Sequence, residues 1–334
     1  MPGIHDIGAA LVAPGKGILA ADESVGTMSS RLSNVGVTPS PETRRDYRRL
    51  LLTTPELSTW ISGVIFSDET LSQEVSKGAA FPAAAHALGI LPGIKVDTGI
   101  TGLPFSDGGS ITQGLDGLRE RLADYRSAGA VFAKWRAVLD PCGLHERTVQ
   151  ANAHALARYA ALCQEAGLVP IVEPEVLMTG DHTIDMCEAV TANTLGPVFT
   201  EMDHMGVDPQ GIVLKPNMVV AGVASGAAQS PEEVARRTLR VLRARVPAAV
   251  PGIAFLSGGQ SNEQACANLA AINAEGGDDA PWRLTFSFGR ALVDDALRIW
   301  AGDAANLDAA QRALADNCRR ASAACTPLPA PVPA

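Results

Sequence analysis

"GIVLKPNMV" runs from Gly211 to Val219. Its first half is an apolar run of strand length. Lys215 stands at the end of that run, and a Pro-Asn pair stops it. Short apolar runs bounded by breakers fit strands buried on both faces of a parallel sheet. A cation at the end of such a strand is either a solvated cap or a group held there for chemistry. Taken alone, Lys215 favours the cap.

The same pattern recurs outward in both directions. Comparable runs lie at 17–21 (GILAA), 61–66 (ISGVIF), 90–96 (ILPGIKV), 130–135 (AVFAKW), 168–174 (LVPIVEP), 211–216 (GIVLKP), 252–257 (GIAFLS) and 283–288 (RLTFSF). Helical periodicity separates them. Leu115, Leu118, Leu122 and Tyr125 repeat at helical spacing, as do Val149, Ala153, Leu156, Ala160 and Cys163, and Ala235, Leu239, Leu242 and Val246. Ser40, Ser230 and Ser261 carry helix-start signals. Eight β–α alternations predict the α/β class and a single (β/α)₈ barrel over residues 1–320. The alternative is a doubly wound open sheet, but no G-x-G-x-x-G follows the first run. Residues 97–114 read as a long polar loop. Residues 321–334 read as a flexible Pro/Ala-rich tail, which has too little to bury.

Composition narrows the function. The 334 residues are 46% hydrophobic and 19% charged, with a formal net charge of -9. No basic face is advertised for nucleic acid or for an acidic membrane. An anionic small ligand is not excluded, since it needs only local cations. None of the six cysteines forms a C-x-x-C pair, so reduced thiols are expected. The N-terminus lacks a signal-peptide pattern, and no apolar run approaches a membrane span. The expected setting is the cytoplasm.

The strand ends carry the functional signal. The first run leads into Asp22 and Glu23; the third carries Lys95 and Asp97. Lys134 and Arg136 fall at the fourth, Glu173 and Glu175 at the fifth, and Lys215 at the sixth. The seventh ends in Ser257-Gly258-Gly259 and the eighth in Ser287-Phe288-Gly289-Arg290. Residues two apart on a strand point the same way, so Lys134 sides with Arg136 and Glu173 with Glu175. Each feature alone has an ordinary explanation as a surface pair, a turn or a helix cap. Their shared placement at strand ends selects the C-terminal mouth of a barrel.

This set suits amine chemistry. A lysine attacks a carbonyl only when neutral, and its unperturbed pKa of about 10.4 leaves fewer than about one in a thousand neutral at pH 7. Desolvation and a cation such as Lys134 would favour the neutral form of Lys215. Carboxylates at Asp22, Glu173 and Glu175 can then shuttle protons. Ser257, the Gly258 and Gly259 amides, and Gly289-Arg290 form a candidate phosphate cradle.

The motifs KGILAADES (16–24), GIKVD (93–97), TQGLDGL (112–118), FAKWR (132–136), VPIVEPE (169–175), LKPNMV (214–219), FLSGGQS (255–261) and TFSFGRAL (285–292) together resemble class I, Schiff-base-forming fructose-bisphosphate aldolase. The resemblance implies a (β/α)₈ barrel, usually a homotetramer. It implies a metal-independent lyase of glycolysis that uses no cofactor and cleaves fructose 1,6-bisphosphate to dihydroxyacetone phosphate and glyceraldehyde 3-phosphate. It makes Lys215 the Schiff-base lysine, Glu173 the main proton carrier with Glu175 beside it, and Asp22 the acceptor of the C4-hydroxyl proton. Lys134 and Arg136 position the substrate. Ser257, Gly258, Gly289 and Arg290 would grip the 1-phosphate; Ser24, Thr27, Arg31 and Lys95 would lie toward the 6-phosphate.

Animal members end in a tyrosine that assists proton exchange, whereas the tyrosines here are Tyr47, Tyr125 and Tyr159. Two other readings compete. A metal-dependent barrel enzyme would need ligand pairs, and the six histidines form no H-x-H or H-x-x-x-H. A phosphosugar-binding scaffold without catalysis would not need the full Lys, Glu and Asp set.

Overall fold

The computed structural model describes residues 2–143 and 145–326. Eight strands close a parallel barrel: β1 (Gly17–Ala21), β2 (Ile61–Phe66), β3 (Leu91–Lys95), β4 (Phe132–Leu139), β5 (Val169–Val176), β6 (Val213–Leu214), β7 (Gly252–Phe255) and β8 (Arg283–Phe288). Each pairs with its successor in the chain, and β1 closes on β8 through Ile18↔Ser287. The closed ring leaves no barrel strand with an open edge. It decides against the open sheet.

Alternating side chains build two cores. Outward-facing Leu19, Val64, Ile94, Trp135, Val172, Leu214 and Phe286 pack with the surrounding helices. Inward-facing Ile18, Ile65, Phe132, Val169, Ile171 and Val213 fill the lower barrel together with Leu11 and Val12. Leu11 ends the helix Ile4–Leu11, which closes the N-terminal end of the barrel. Space there is tight. A Cβ on Gly63 would lie 2.7 Å from Leu11, and one on Gly93 only 2.2 Å from the Phe132 ring. Gly93→Ala should therefore destabilise the fold by about 2–3 kcal/mol through overpacking, read as a lower urea midpoint at unchanged m-value.

The expected helix starts are present. Ser40, Ser230 and Ser261 accept hydrogen bonds from the amides of Thr43, Glu233 and Gln264. Several boundaries differ from the sequence reading. β4 and β5 run on to Leu139 and Val176, because they stay in register along their whole length. β6 is reduced to two residues, since Pro216 has no amide to continue the ladder. The polar stretch 97–114 contains a hairpin, Ile100–Gly102 paired with Ser110–Thr112.

The tail boundary also moves. The last helix, Leu307–Ala323, runs through residue 320, and Ala321 and Ala324 are buried. Cys325 Sγ lies 3.3 Å from Thr285 Oγ1, which holds this end of the chain near the start of β8. Residues 327–334 of the expected tail lie outside the described residues.

Candidate active site

Strand parity carries the interior upward from its apolar floor. On β4, Phe132 is followed on the same face by Lys134 and Arg136; on β5, Ile171 is followed by Glu173 and Glu175. Val213 of β6 leads in the same way to Lys215, and Ala20 of β1 to Asp22. These polar groups line a cavity of about 230 Å³ at the C-terminal ends of the strands.

At its base four ionisable groups form a chain. Lys134 Nζ lies 2.7 Å from Asp22 Oδ2 and 3.0 Å from Glu173 Oε2, and Lys215 Nζ lies 3.1 Å from Glu173 Oε1. The side chains of Lys134, Lys215 and Glu173 are all about 5% exposed or less. Lys215 is thus paired directly with Glu173, while Lys134, which the sequence reading set beside it, reaches it through that carboxylate. The acceptor for its proton is already in place. Glu173 Oε2 has the Lys134 charge nearby but no aligned hydrogen-bond donor among the described residues, which leaves it able to take a proton.

Burial and charge oppose one another here. Burial alone would raise the pKa of Asp22, but Lys134 and Lys215 bring it down from 3.8 to about 2. Burial would likewise raise that of Glu173; Lys134, Lys215 and Arg136 outweigh it and hold the carboxyl below its usual range. Lys134 is the reverse case. Burial would lower its pKa, and Asp22 and Glu173 hold it well above the ordinary lysine value. The sign for stability follows. Because folding depresses the Asp22 pKa, its ionised form stabilises the fold above about pH 4. That contribution is lost as pH falls through about 2.

Arg136 and Glu175 make a second pair at 2.5 Å above the chain of four. Ser257 and Gly258 form the rim at β7. Gly258 has φ +58°, and a Cβ there would meet Met178 Sδ at 2.2 Å, so the loop lies flat on Met178. Gly289 caps the helix Arg290–Trp300, whose first turn borders the same cavity. Amides at a helix start together with a guanidinium suit a phosphate.

Thr27 and Arg31 line the opposite side. Of the residues singled out from sequence, Ser24, Lys95, Asp97 and Gly259 do not line the cavity. Ser24 is the N-cap of the helix Val25–Asn34 and binds the Thr27 amide and hydroxyl. Lys95 is paired with Asp97 at 2.6 Å, though its charge still acts on Asp22.

Glu23, Leu256 and Ser287 also line the cavity; the sequence set Glu23 and Ser287 at strand ends but gave neither a role. Ser287 was legible, since it alternates inward with Thr285 in "TFSF". Its buried hydroxyl has no partner among the described residues. Glu23 had no signal of its own, because the chain leaves β1 before it and parity no longer orients it. All three tyrosines are bonded elsewhere: Tyr47 to the Val293 carbonyl, Tyr125 to Asp68 and Tyr159 to the Ile171 carbonyl. Among the described residues, no group of three or more His, Cys, Asp or Glu could hold a metal ion, and no helix is long and apolar enough to cross a membrane.

A family model described as "Fructose-bisphosphate aldolase class-I" matches residues 3–328. The chain is 50% identical over 299 residues to a probable fructose-bisphosphate aldolase class 1 of Xanthomonas campestris pv. campestris, covering 88% of each. It is 50% identical over 313 residues to fructose-bisphosphate aldolase C of Rattus norvegicus, covering 92% of this chain and 85% of that one. A solved structure of fructose-bisphosphate aldolase from Plasmodium falciparum, in complex with TRAP and a small-molecule inhibitor, superposes with a TM-score of 0.93. It is 44% identical, and the match covers 96% of this chain and 93% of that one.

Proposed function

We propose, from the premise that this chain belongs to the class I fructose-bisphosphate aldolase family, that Lys215 is its Schiff-base lysine and that Glu173, Lys134 and Asp22 hold and move the protons of the reaction. The activity is that of a glycolytic lyase. Fructose 1,6-bisphosphate is cleaved reversibly to dihydroxyacetone phosphate and glyceraldehyde 3-phosphate through a lysine imine and an enamine.

The observation that carries the residue assignment is the chain Asp22–Lys134–Glu173–Lys215 with its three contacts of 3.1 Å or less. Lys215 loses a proton to Glu173 and attacks the C2 ketone. Glu173 returns the proton to the carbinolamine hydroxyl, which leaves as water. Asp22 then takes the proton of the C4 hydroxyl. As the C4–O π bond forms, the C3–C4 bond breaks, and its electron pair moves onto the iminium to give the enamine. The aldehyde departs, C3 is protonated, and water hydrolyses the imine. Lys134 lies between both carboxylates and keeps each ionised until its turn. Glu175, with Arg136 as its counter-ion, stands behind Glu173.

Trapping tests the nucleophile. Borohydride added with dihydroxyacetone phosphate should fix one adduct per chain at Lys215, mapped by peptide mass spectrometry. A label on Lys134 or Lys95, with Lys215 unmodified, would sink the assignment.

Phosphate grip is assigned to Ser257, Gly258, Gly289 and Arg290 at one end and to Thr27 and Arg31 at the other. Ser24 and Lys95 act through their neighbours. Arg290→Ala should raise KM by about 10- to 100-fold and leave kcat within about threefold, because the guanidinium fork binds ground state and transition state alike. A collapse of kcat at unchanged KM would contradict this. The same reading takes the enzyme as a cytoplasmic homotetramer with one barrel domain. The family resemblance supports the assembly, and six free thiols support the compartment. Sedimentation velocity tests the assembly.

A further inference from the structure

Arg31 lies at the distal end of the cavity and is held from two sides. One guanidinium nitrogen is paired with Glu23, and the other lies 2.6 Å from Asp294 Oδ1. The two carboxylates are not equivalent. Glu23 also accepts from Arg48 at 2.7 Å, and the Arg48 side chain is only 3% exposed, so Glu23 is fixed by a buried partner. Asp294 is different: its side chain is 59% exposed, and its hydrogen-bond partner among the described residues is Arg31.

Asp294 also sits one helical turn beyond Arg290 on the helix Arg290–Trp300, which places both on one face. Arg290 lines the catalytic cavity and, together with Asp294, an adjoining one. A negative charge therefore stands between Arg290 and Arg31, and it occupies the Arg31 nitrogen that Glu23 leaves open. A bidentate arginine–phosphate bond needs that nitrogen free.

We propose that Asp294 is a specificity-determining residue: it competes for Arg31 with the distal phosphate of the substrate and so reduces the preference for a ketose bisphosphate over the corresponding ketose 1-phosphate. The inference rests on the assignment of Arg31 to the distal phosphate. It predicts a carboxylate that restrains binding rather than one that supports it.

The test is steady-state kinetics with fructose 1,6-bisphosphate and with fructose 1-phosphate. Asp294→Asn keeps the shape of the side chain and removes its charge. KM for the bisphosphate should fall about fivefold, with kcat within about twofold and KM for the monophosphate changed by less than about twofold, since Asp294 is in direct contact with Arg31 and only near Arg290. The gain should shrink as salt rises from about 0.05 to about 0.5 M, because Asp294 is exposed and screened. Arg31→Ala alone should raise KM for the bisphosphate by about tenfold or more and leave the monophosphate unaffected; in that background Asp294→Asn should do nothing. An Asp294→Asn enzyme whose KM for the bisphosphate is unchanged or higher overturns the inference while leaving the role of Arg31 intact. If Arg31→Ala itself affects neither substrate, the distal-phosphate assignment fails and the inference fails with it.

Discussion

Lys215→Ala is expected to lower kcat for fructose 1,6-bisphosphate by about 10⁴-fold or more, equivalent to at least about 5.5 kcal/mol of barrier. No other group at the base of the cavity can take its place. Lys134, the other amine there, is already bound to two carboxylates at 2.7 and 3.0 Å. Asp22 and Glu173 hold it firmly protonated, and a protonated amine cannot attack a ketone. The fold should survive the change, because alanine leaves the apolar floor intact and Glu173 keeps Lys134. The measurement is kcat at saturating substrate, with circular dichroism as the control and borohydride trapping as the second readout. A variant that keeps more than about 1% of the parent rate would show that another nucleophile serves.

The second large effect is expected at Lys134. Lys134→Met retains the length of the side chain and removes its charge, so Asp22 and Glu173 face each other without the cation that separates them. Two buried carboxylates close together do not both ionise, and the pKa of at least one must rise. Asp22 now stands near 2 and is ionised throughout the working range. With Lys134 gone, the acid limb of the kcat profile moves to higher pH, and the maximal rate falls by about 10³-fold as the base for the C4 hydroxyl is lost. Stability should drop too, by about 3–5 kcal/mol, as for a broken buried ion pair. An acid limb that stays where it was, with kcat within tenfold of the parent, would remove Lys134 from the mechanism.

The barrel was legible because each strand is buried on both faces, so hydrophobicity marks it without ambiguity. The polar upper layer was legible for a related reason. Charged residues at strand ends have no solvent to turn to in a closed barrel, so Lys134, Glu173 and Lys215 stand out against their apolar neighbours. What strand ends could not reveal was how the charges pair. Lys215 meets Glu173 directly and Lys134 only through it, and nothing in a linear sequence sets the distance between β5 and β6. Lengths misread for the same reason: Arg136 and Glu175 looked like terminators of β4 and β5, yet they face the lumen and the ladder continues past them. Asp294 escaped notice because it lies on a helix, away from the strand ends. Its role comes from a contact with Arg31, on another helix far away in the chain.

The helix Ile4–Leu11 closes the lower end of the barrel, and Ile18, Phe132, Ile171 and Val213 beneath the charged layer are wholly buried. The site therefore has one door. Whatever reaches Lys215 enters through the mouth and leaves by the same route. On the proposed mechanism the ketose half is held covalently by Lys215, so the aldehyde half goes first. Until it does, its body stands between bulk water and the enamine, and the carbon–carbon bond can re-form. Only after it has left can solvent reach the imine and release the second product. A second opening would change the path of the aldehyde and of water, but not the order, because the ketose half stays bound to Lys215 until the imine is hydrolysed.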